Sequence, residues 1–275
     1  MVKFIADSSC DKLSFDGVEY ESVPLTIYTD EKSYLDDENI DVHEMLEYLA
    51  GYHARSYTSC PSAEAWLSAF EGGDEIYVAT LTSGLSGTYN SANVAKDMYL
   101  AEHPEAKIHV IDSLSTGPEL HLIMEKLIQL KNEGNTFEEV IEKINSYMKK
   151  TRLLFAFFSL HNFAQNGRVS KVVASAIGML NIRVIGTADE EGKVGVIAKC
   201  RGEKKMLQTL MEEIEKAGYK GGKFRISHVE NESLANTVIN MIKEKYADAD
   251  TMVYPAKGLC SYYAERHGII LGFEC

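Results

Sequence analysis

The densest concentration of chemically useful side chains is Leu81-Thr82-Ser83-Gly84-Leu85-Ser86-Gly87-Thr88-Tyr89-Asn90-Ser91-Ala92, where five Ser/Thr hydroxyls and two glycines join a β-rich run to a helical one. Glycine lets backbone come close to a ligand, and a hydroxyl donates to an anion without carrying charge itself. The run lacks the Gly-Lys-Ser/Thr of a P-loop and is no Gly-x-Gly-x-x-Gly fingerprint, so it argues against a nucleotide and for one small anion. Ordinary turn chemistry is the alternative. Ser86 stands in Gly-Leu-Ser-Gly-Thr rather than Gly-x-Ser-x-Gly, which leaves no sequence argument for a serine hydrolase.

Thr58-Ser59-Cys60-Pro61-Ser62 precedes a helical pattern, with Pro61 suited to its first turn. It reads either as a helix cap or as a cradle in which the Thr58 hydroxyl and nearby N–H groups hold a carboxylate or phosphate. Cys60 in the same place is a candidate thiolate nucleophile, because a helix N-terminus lowers thiol pKa. Asn166-Gly167-Arg168-Val169-Ser170-Lys171 is a turn with two cations, and with Lys199, Arg201, Lys204 and Lys205 it makes the second half locally basic. Such a surface suits an acidic partner or a phosphoryl donor; a solvated turn is the alternative.

The elements that must position these residues alternate. Lys3–Ala6, Glu75–Leu81 and Lys107–Ile111 read as strands, and 42–50, 62–70 and 89–100 as helices, the pattern of a layered α/β unit with a largely parallel sheet. Val23–Tyr28 reads as an extra extended segment near an edge. Strand ends at Asp7-Ser8-Ser9, Thr82-Ser83-Gly84 and Asp112-Ser113 fall where open α/β sheets bind ligands. Leu120, Ile123, Met124, Leu127 and Ile128 give a helix closed by Gly134, and Thr136-Phe137-Glu138-Glu139 is a capping box opening another. Lys149-Lys150-Thr151 divides an N-terminal α/β domain, 1–150, from a C-terminal α+β domain, 151–275, with a mixed or antiparallel sheet. In the latter, Leu153–Phe158, Ile182–Thr187, Val194–Lys199 and Phe224–Ser227 are strands, and 172–180, 203–217 and 234–245 are helices. Glu190-Glu191-Gly192 is the turn of a hairpin.

The chain has 275 residues, 45% of them hydrophobic and 25% charged, with a net charge of −13, which is soluble-globular composition. The acidic balance and the absence of a long basic run exclude nucleic acid as an expected partner and disfavour adhesion to anionic membranes. Met1–Asp7 reaches an acid before a signal-type apolar region develops, and Leu153–Phe158 is far short of the roughly 20 residues that span a bilayer. The expected location is therefore the cytoplasm, without stable membrane insertion. Cys10, Cys60, Cys200, Cys260 and Cys275 form no Cys-x-x-Cys pair and the eight histidines are dispersed, so free thiols, no metal and no cofactor are expected.

Taken together the motifs resemble the DegV family of bacterial fatty-acid-binding proteins over nearly the whole chain. Ala6-Asp7-Ser8-Ser9 is similar to the family's Asp-Ser-Thr/Ser, Thr58–Ser62 to its TSQPS and Thr82–Ala92 to its SSGLSGTYQSA. Ile111-Asp112-Ser113 and Asn166-Gly167-Arg168-Val169 resemble its later DS and GGRI segments. Cys60 replaces the family Gln, Asn166 replaces the first Gly of GGRI, and the C-terminal His followed by Thr-Gly-Pro-Gly has no clear counterpart. Anchoring on Leu271-Gly272-Phe273 puts Tyr263 at the His position, with His267 the alternative register. The resemblance implies a two-domain carrier, without catalysis of its own, that holds one long-chain fatty acid. Its carboxylate would lie on Thr58 and Ser86, with Ser59, Ser83 and Tyr263 beside them, and its tail in a tunnel of the second domain. The acid would be offered to a separate fatty acid kinase faced by Arg168, giving an acyl phosphate. Phe155, Phe157, Phe163, Ile177 and Met179 are the lining candidates. A thiol-dependent hydrolase or acyltransferase using Cys60, and a carrier of another apolar anion, are the alternatives.

Overall fold

The computed structural model describes residues 1–169 and 182–275; the expected helix at 172–180, with Ile177 and Met179, lies outside the described residues. The first half is built on four parallel strands in the order β2-β1-β6-β7: β1 (Val2–Asp7), β2 (Tyr20–Val23), β6 (Glu75–Thr80) and β7 (Lys107–Asp112). Successive side chains point to opposite faces. Phe4 and Ala6 of β1, with Tyr77 and Ala79 of β6, therefore meet α4 (Gly117–Asn132) and α5 (Phe137–Met148). Ile5, Ile76 and Val78 meet α2 (Ala63–Phe70) and α3 (Thr88–Glu102). The capping box forms as the sequence requires: Thr136 accepts from the Glu139 N–H, and Glu139 Oε2 accepts from the Thr136 N–H at 2.8 Å.

The single extended segment expected at Val23–Tyr28 is two strands. Pro24 cannot donate to a ladder, and the chain leaves the parallel sheet at Val23 to start β3 (Thr26–Tyr28) in a separate antiparallel sheet, β4-β3-β5, with β4 (Ser33–Leu35) and β5 (Tyr57–Ser59). α1 (Val42–Gly51) connects the last two.

The second half is a six-stranded mixed sheet, β10-β9-β8-β13-β11-β12, comprising β8 (Thr151–Phe157), β9 (Ile182–Ala188), β10 (Val194–Arg201), β11 (Lys223–His228), β12 (Asp250–Pro255) and β13 (Ile269–Glu274). β11 and β12 are parallel and the other neighbours antiparallel, including the expected β9–β10 hairpin with Val194 opposite Ala188. Leu154, Ala156, Phe224 and Ile226 pack beneath α7 (Glu203–Lys216) and α8 (Glu232–Lys245). The other face, with Leu153, Phe155, Phe157 and Ile270, turns towards the first half and is covered by α6 (His161–Gln165) and α9 (Gly258–Ala264). α4 also lies against this face, fixed there by Glu125, whose carboxylate accepts from Arg225 Nε (3.1 Å) and Nη2 (3.0 Å) and from Lys223 Nζ (2.9 Å). Among the described residues no helix is long and apolar enough to cross a membrane.

Candidate ligand-binding site

β5 delivers the first of the expected site residues. Helix α2 is capped by Ser62, whose Oγ accepts from the Ala65 N–H at 3.3 Å. Pro61 therefore stands before the cap rather than in the first turn, and Thr58 and Ser59 belong to a strand rather than to the cap. The freed Thr58 hydroxyl is 2.7 Å from the phenol oxygen of Tyr263 on α9, 205 residues further along the chain. Burial raises the Tyr263 phenol above its ordinary value, so at neutral pH it stays protonated and able to donate. His267, the alternative register, is exposed with φ 72° and stands against Phe158, away from Thr58.

The loop after β6 supplies the second residue. The Thr82 carbonyl accepts from the Leu85 and Ser86 N–H groups, curling the chain so that Ser86 Oγ lies 2.8 Å from Thr88 Oγ1 and accepts from the Thr88 N–H. Two buried or half-buried carboxylates hold the loop in place. Asp7 Oδ2 accepts from the Leu81 N–H at 2.6 Å, and Asp112 Oδ1 from the Ser83 N–H at 3.0 Å and the Leu114 N–H at 3.2 Å. Burial pushes the Asp7 carboxyl up to about 6, against hydrogen bonds from Ser9 and Leu81 that favour its charge. The Asp-Ser motifs at Asp7 and Asp112 are thus fasteners for the hydroxyl-rich loop.

These elements enclose a cavity of about 250 Å³ between the two halves. Thr58, Ser59, Cys60, Ser86, Arg168 and Tyr263 form its polar lining, joined by Thr82, Ser115, Thr116, Thr187 and Lys193. Leu153, Phe155 and Phe157, two residues apart on β8, form an apolar wall with Phe163 and Ile270. Phe155 stacks on Phe157 at 4.3 Å between ring centroids, and Phe163 packs on Tyr263 at 4.7 Å. Ser83 is the expected contact that is not brought in: it is exposed, outside the lining, and its role is to give its N–H to Asp112. Arg168 is half-buried in the cavity wall. Its Nε donates to the Leu85 carbonyl at 3.1 Å and its Nη1 to that of Asn166 at 2.5 Å, bracing the loop from across the junction.

Three features escape sequence reasoning. Ser115 and Thr116 lead into α4 without a pattern that sets them apart from any helix start. The tip of the β9–β10 hairpin is legible as a turn, but nothing in it says what it touches. It rests on the Thr82 loop so closely that a Cβ at Gly192, which has φ +70°, would overlap Thr82 Oγ1, and one at Gly84 would overlap the Glu191 carbonyl. Leu25, between β2 and β3, adds apolar wall.

Chemically the lining offers hydroxyl donors, a guanidinium and an ammonium together with an extensive hydrocarbon surface. No histidine, Asp or Glu lies among the described lining residues, so the half-buried Cys60 has no general base there of the kind a thiol nucleophile uses. Among the described residues no group of three or more His, Cys, Asp or Glu is placed to hold a metal ion.

Comparison with known proteins gives concordant results. The family model described as "Uncharacterised protein, DegV family" matches residues 1–270. A DegV domain-containing protein of Streptococcus pneumoniae strain R6 is 42% identical, over 99% of this chain and 98% of its own. A solved DegV family protein from Eubacterium eligens, loaded with heptadecanoic acid, superposes with a TM-score of 0.98 at 54% identity, covering 100% of this chain and 99% of its own. The Streptococcus pneumoniae Fatty Acid Kinase (Fak) B3 protein, loaded with linoleic acid, superposes with a TM-score of 0.97 at 42% identity, covering 99% of both chains.

Proposed function

The chain belongs to the DegV family, and from that premise and the geometry of the junction we propose that it binds one long-chain fatty acid and presents its carboxylate to a separate fatty acid kinase. The observation that carries this reading is the Thr58–Tyr263 hydroxyl pair, in one cavity with Ser86 and with a largely aromatic and aliphatic lining. Thr58, Ser86 and Tyr263 hold the carboxylate and Ser59 stands beside them. Ser83 is left out. Residues 1–150 act as the domain of the head-group loops, and 151–275 as the domain that supplies most of the acyl-chain wall.

The energetics suit such a ligand. Each buried methylene contributes about 0.8 kcal/mol, so the tail supplies most of the affinity. A carboxylate taken from water without partners would cancel much of that gain, and hydroxyl donors offset the loss. Neutral donors also leave the carboxylate oxygen nucleophilic enough to accept a phosphoryl group, which a bidentate arginine clamp would oppose. The protein performs no step of that transfer: the ATP-dependent kinase does, in the cytoplasm. Arg168, half-exposed beside the loop, is the residue assigned to the kinase-facing surface. The loaded states of the E. eligens and S. pneumoniae proteins support the ligand class, and the name of the latter supports the kinase.

Native mass spectrometry of protein purified from bacteria tests the proposal. The wild type is expected to carry an acyl chain, and the Thr58→Ala/Ser86→Ala double variant to lose it. Wild-type protein without lipid defeats the function, and equal lipid in both proteins defeats the site assignment. An extracted ligand other than a fatty acid shifts the reading to a carrier of another apolar anion.

A further inference from the structure

Tyr263 can meet Thr58 only if α9 is held at a fixed height above the small β4-β3-β5 sheet, and the helix has no cap of its own. Lys257, at its N-cap, makes no side-chain cap hydrogen bond. The orphan N–H groups go instead to carboxylates from the first half. Asp36 Oδ1 accepts from the Gly258 N–H at 2.7 Å and Asp36 Oδ2 from the Leu259 N–H at 2.8 Å, while Asp11 Oδ1 accepts from the Lys257 N–H at 2.8 Å. Asp36 is completely buried and its own N–H is fixed to the Leu25 carbonyl at 2.9 Å.

The residue directly before Asp36, Leu35, pairs with Thr26, which pairs on its other side with Ser59. Asp36, the first residue after β4, and Thr58 on β5 therefore stand at the two edges of one three-stranded sheet, whose outer strands are about 10 Å apart at ordinary strand spacing. Along α9, Gly258 and Tyr263 are separated by about 7.5 Å of helix rise. The sheet thus grips the helix at two points, its first N–H groups through Asp36 and its last turn through Thr58. A third tie, Ser56 Oγ to the Tyr262 phenol at 2.8 Å, comes from the residue just before β5. The grip needs a glycine: a Cβ at Gly258 would come within 2.7 Å of Asp36 Oδ1.

We propose that Asp36 is a positioning residue for the fatty acid head group, setting through the N-terminus of α9 where the Tyr263 phenol stands relative to Thr58. This rests on the reading that Thr58 and Tyr263 hold a carboxylate. Loss of Asp36 leaves two buried N–H groups unpaired and frees α9 to shift, so the hydroxyl pair no longer converges on the acid. Asp36 itself makes no hydrogen bond to the acyl wall on β8.

The test is a titration of cis-parinaric acid, and of the corresponding fatty alcohol, into wild type, Asp36→Ala, Tyr263→Phe and the double variant. Asp36→Ala is expected to weaken the acid by about tenfold while moving the alcohol by less than about twofold. In the Tyr263→Phe background the same substitution is expected to have little further effect, since residues acting through one contact are non-additive. Equal losses for acid and alcohol, or full additivity with Tyr263→Phe, overturn the inference, because a general loss of fold would produce them. Should Asp36→Ala fail to fold, Asp36→Asn and Gly258→Ala take its place, with the same acid-selective loss expected and a ligand-independent loss overturning it. Wild type that binds no acid defeats the proposed function and this inference with it. Wild type that binds acid beside an unimpaired Asp36→Ala defeats the positioning role alone.

Discussion

Strand β8 sends Leu154 and Ala156 to one side of its sheet and Leu153, Phe155 and Phe157 to the other, and the two sides end differently. On the first, α7 and α8 lay Met206, Leu210, Ile214, Val238 and Ile242 across the strands, and all five are completely buried in a closed core. On the second, α4 covers the β13–β11 end, but over β8 the cover is assembled from α6, α9, the small sheet, the hydroxyl loop and a hairpin tip, and a cavity of about 250 Å³ remains there. Apolar character and pleat are alike on both faces. What differs is the shape of the cover: two long amphipathic helices interdigitate with a sheet at crystal-like density, whereas the ends of loops and short helices cannot.

The largest expected effect breaks the closed side. Phe224→Ala should cost about 3–5 kcal/mol of stability by urea denaturation and leave the lipid content of the folded fraction unchanged. Phe155→Ala, on the cavity side, should cost less, because its ring already borders free space, and should shift the copurified acid to a longer or bulkier chain. Equal stability losses with no change of ligand would erase the contrast between the two faces.

Charge on the cavity side sharpens the comparison further. Burial opposes the charge of Glu125, but hydrogen bonds from His121, Arg225 and Lys223 win and hold its carboxyl well below the usual range. Asp7 is buried with backbone and hydroxyl donors and Asp11 with the Lys257 N–H on one oxygen and no hydrogen bond on the other, and burial pushes them up to about 6 and about 7. The folded chain therefore binds more protons than the unfolded chain between about pH 4 and pH 7, so these two groups make stability fall as pH rises through that window, by a few kcal/mol. Glu125 acts oppositely: its contribution is present above its ordinary value of 4.5 and is lost only in stronger acid. Denaturation at pH 5, 6, 7 and 8 should show the decline, and Asp11→Asn should flatten its upper part. A curve that rises over this range, or one that Asp11→Asn leaves unchanged, contradicts the assignment.

The smallest effect concerns the seam where the two halves touch. Gly192→Ala places a side chain against Thr82 at a left-handed φ and should cost about 1–3 kcal/mol. Gly51→Ala, at the end of α1 with nothing within 4 Å, should be neutral or slightly stabilising. Matching melting temperatures for the two variants would show that the hairpin tip does not rest on the loop.

Much of the fold is legible because its causes are local. The capping box at Thr136 and Glu139, the helix ended by Gly134 and the hairpin turn at Glu190-Glu191-Gly192 depend on residues a few positions apart. Pro24 shows where local reading stops: it marks a break in an extended segment, but only pairing shows that Val23 and Thr26 belong to different sheets. β13 is likewise visible only through its pairing, antiparallel to β8 on one side and β11 on the other. At the site, Thr58, Ser59, Ser86 and Tyr263 are legible by residue type and by resemblance, and the structure gathers them around one cavity. Ser83, of the same type and in the same loop, is turned out by its backbone bond to Asp112.

The amino-acid sequence by itself determined the longer helices and the main strands of the first sheet, the hydroxyl-rich loops and the absence of nucleotide and metal motifs, since each follows from side-chain chemistry and short-range spacing. The tertiary structure alone decided that Thr58 meets a phenol 205 residues away, that Asp36 caps a helix 222 residues away, and that one face of a sheet stays unfilled. The reason is physical: a hydrogen bond within a turn is fixed by local geometry, whereas a cavity is what remains after distant segments have packed, and no single segment carries its shape.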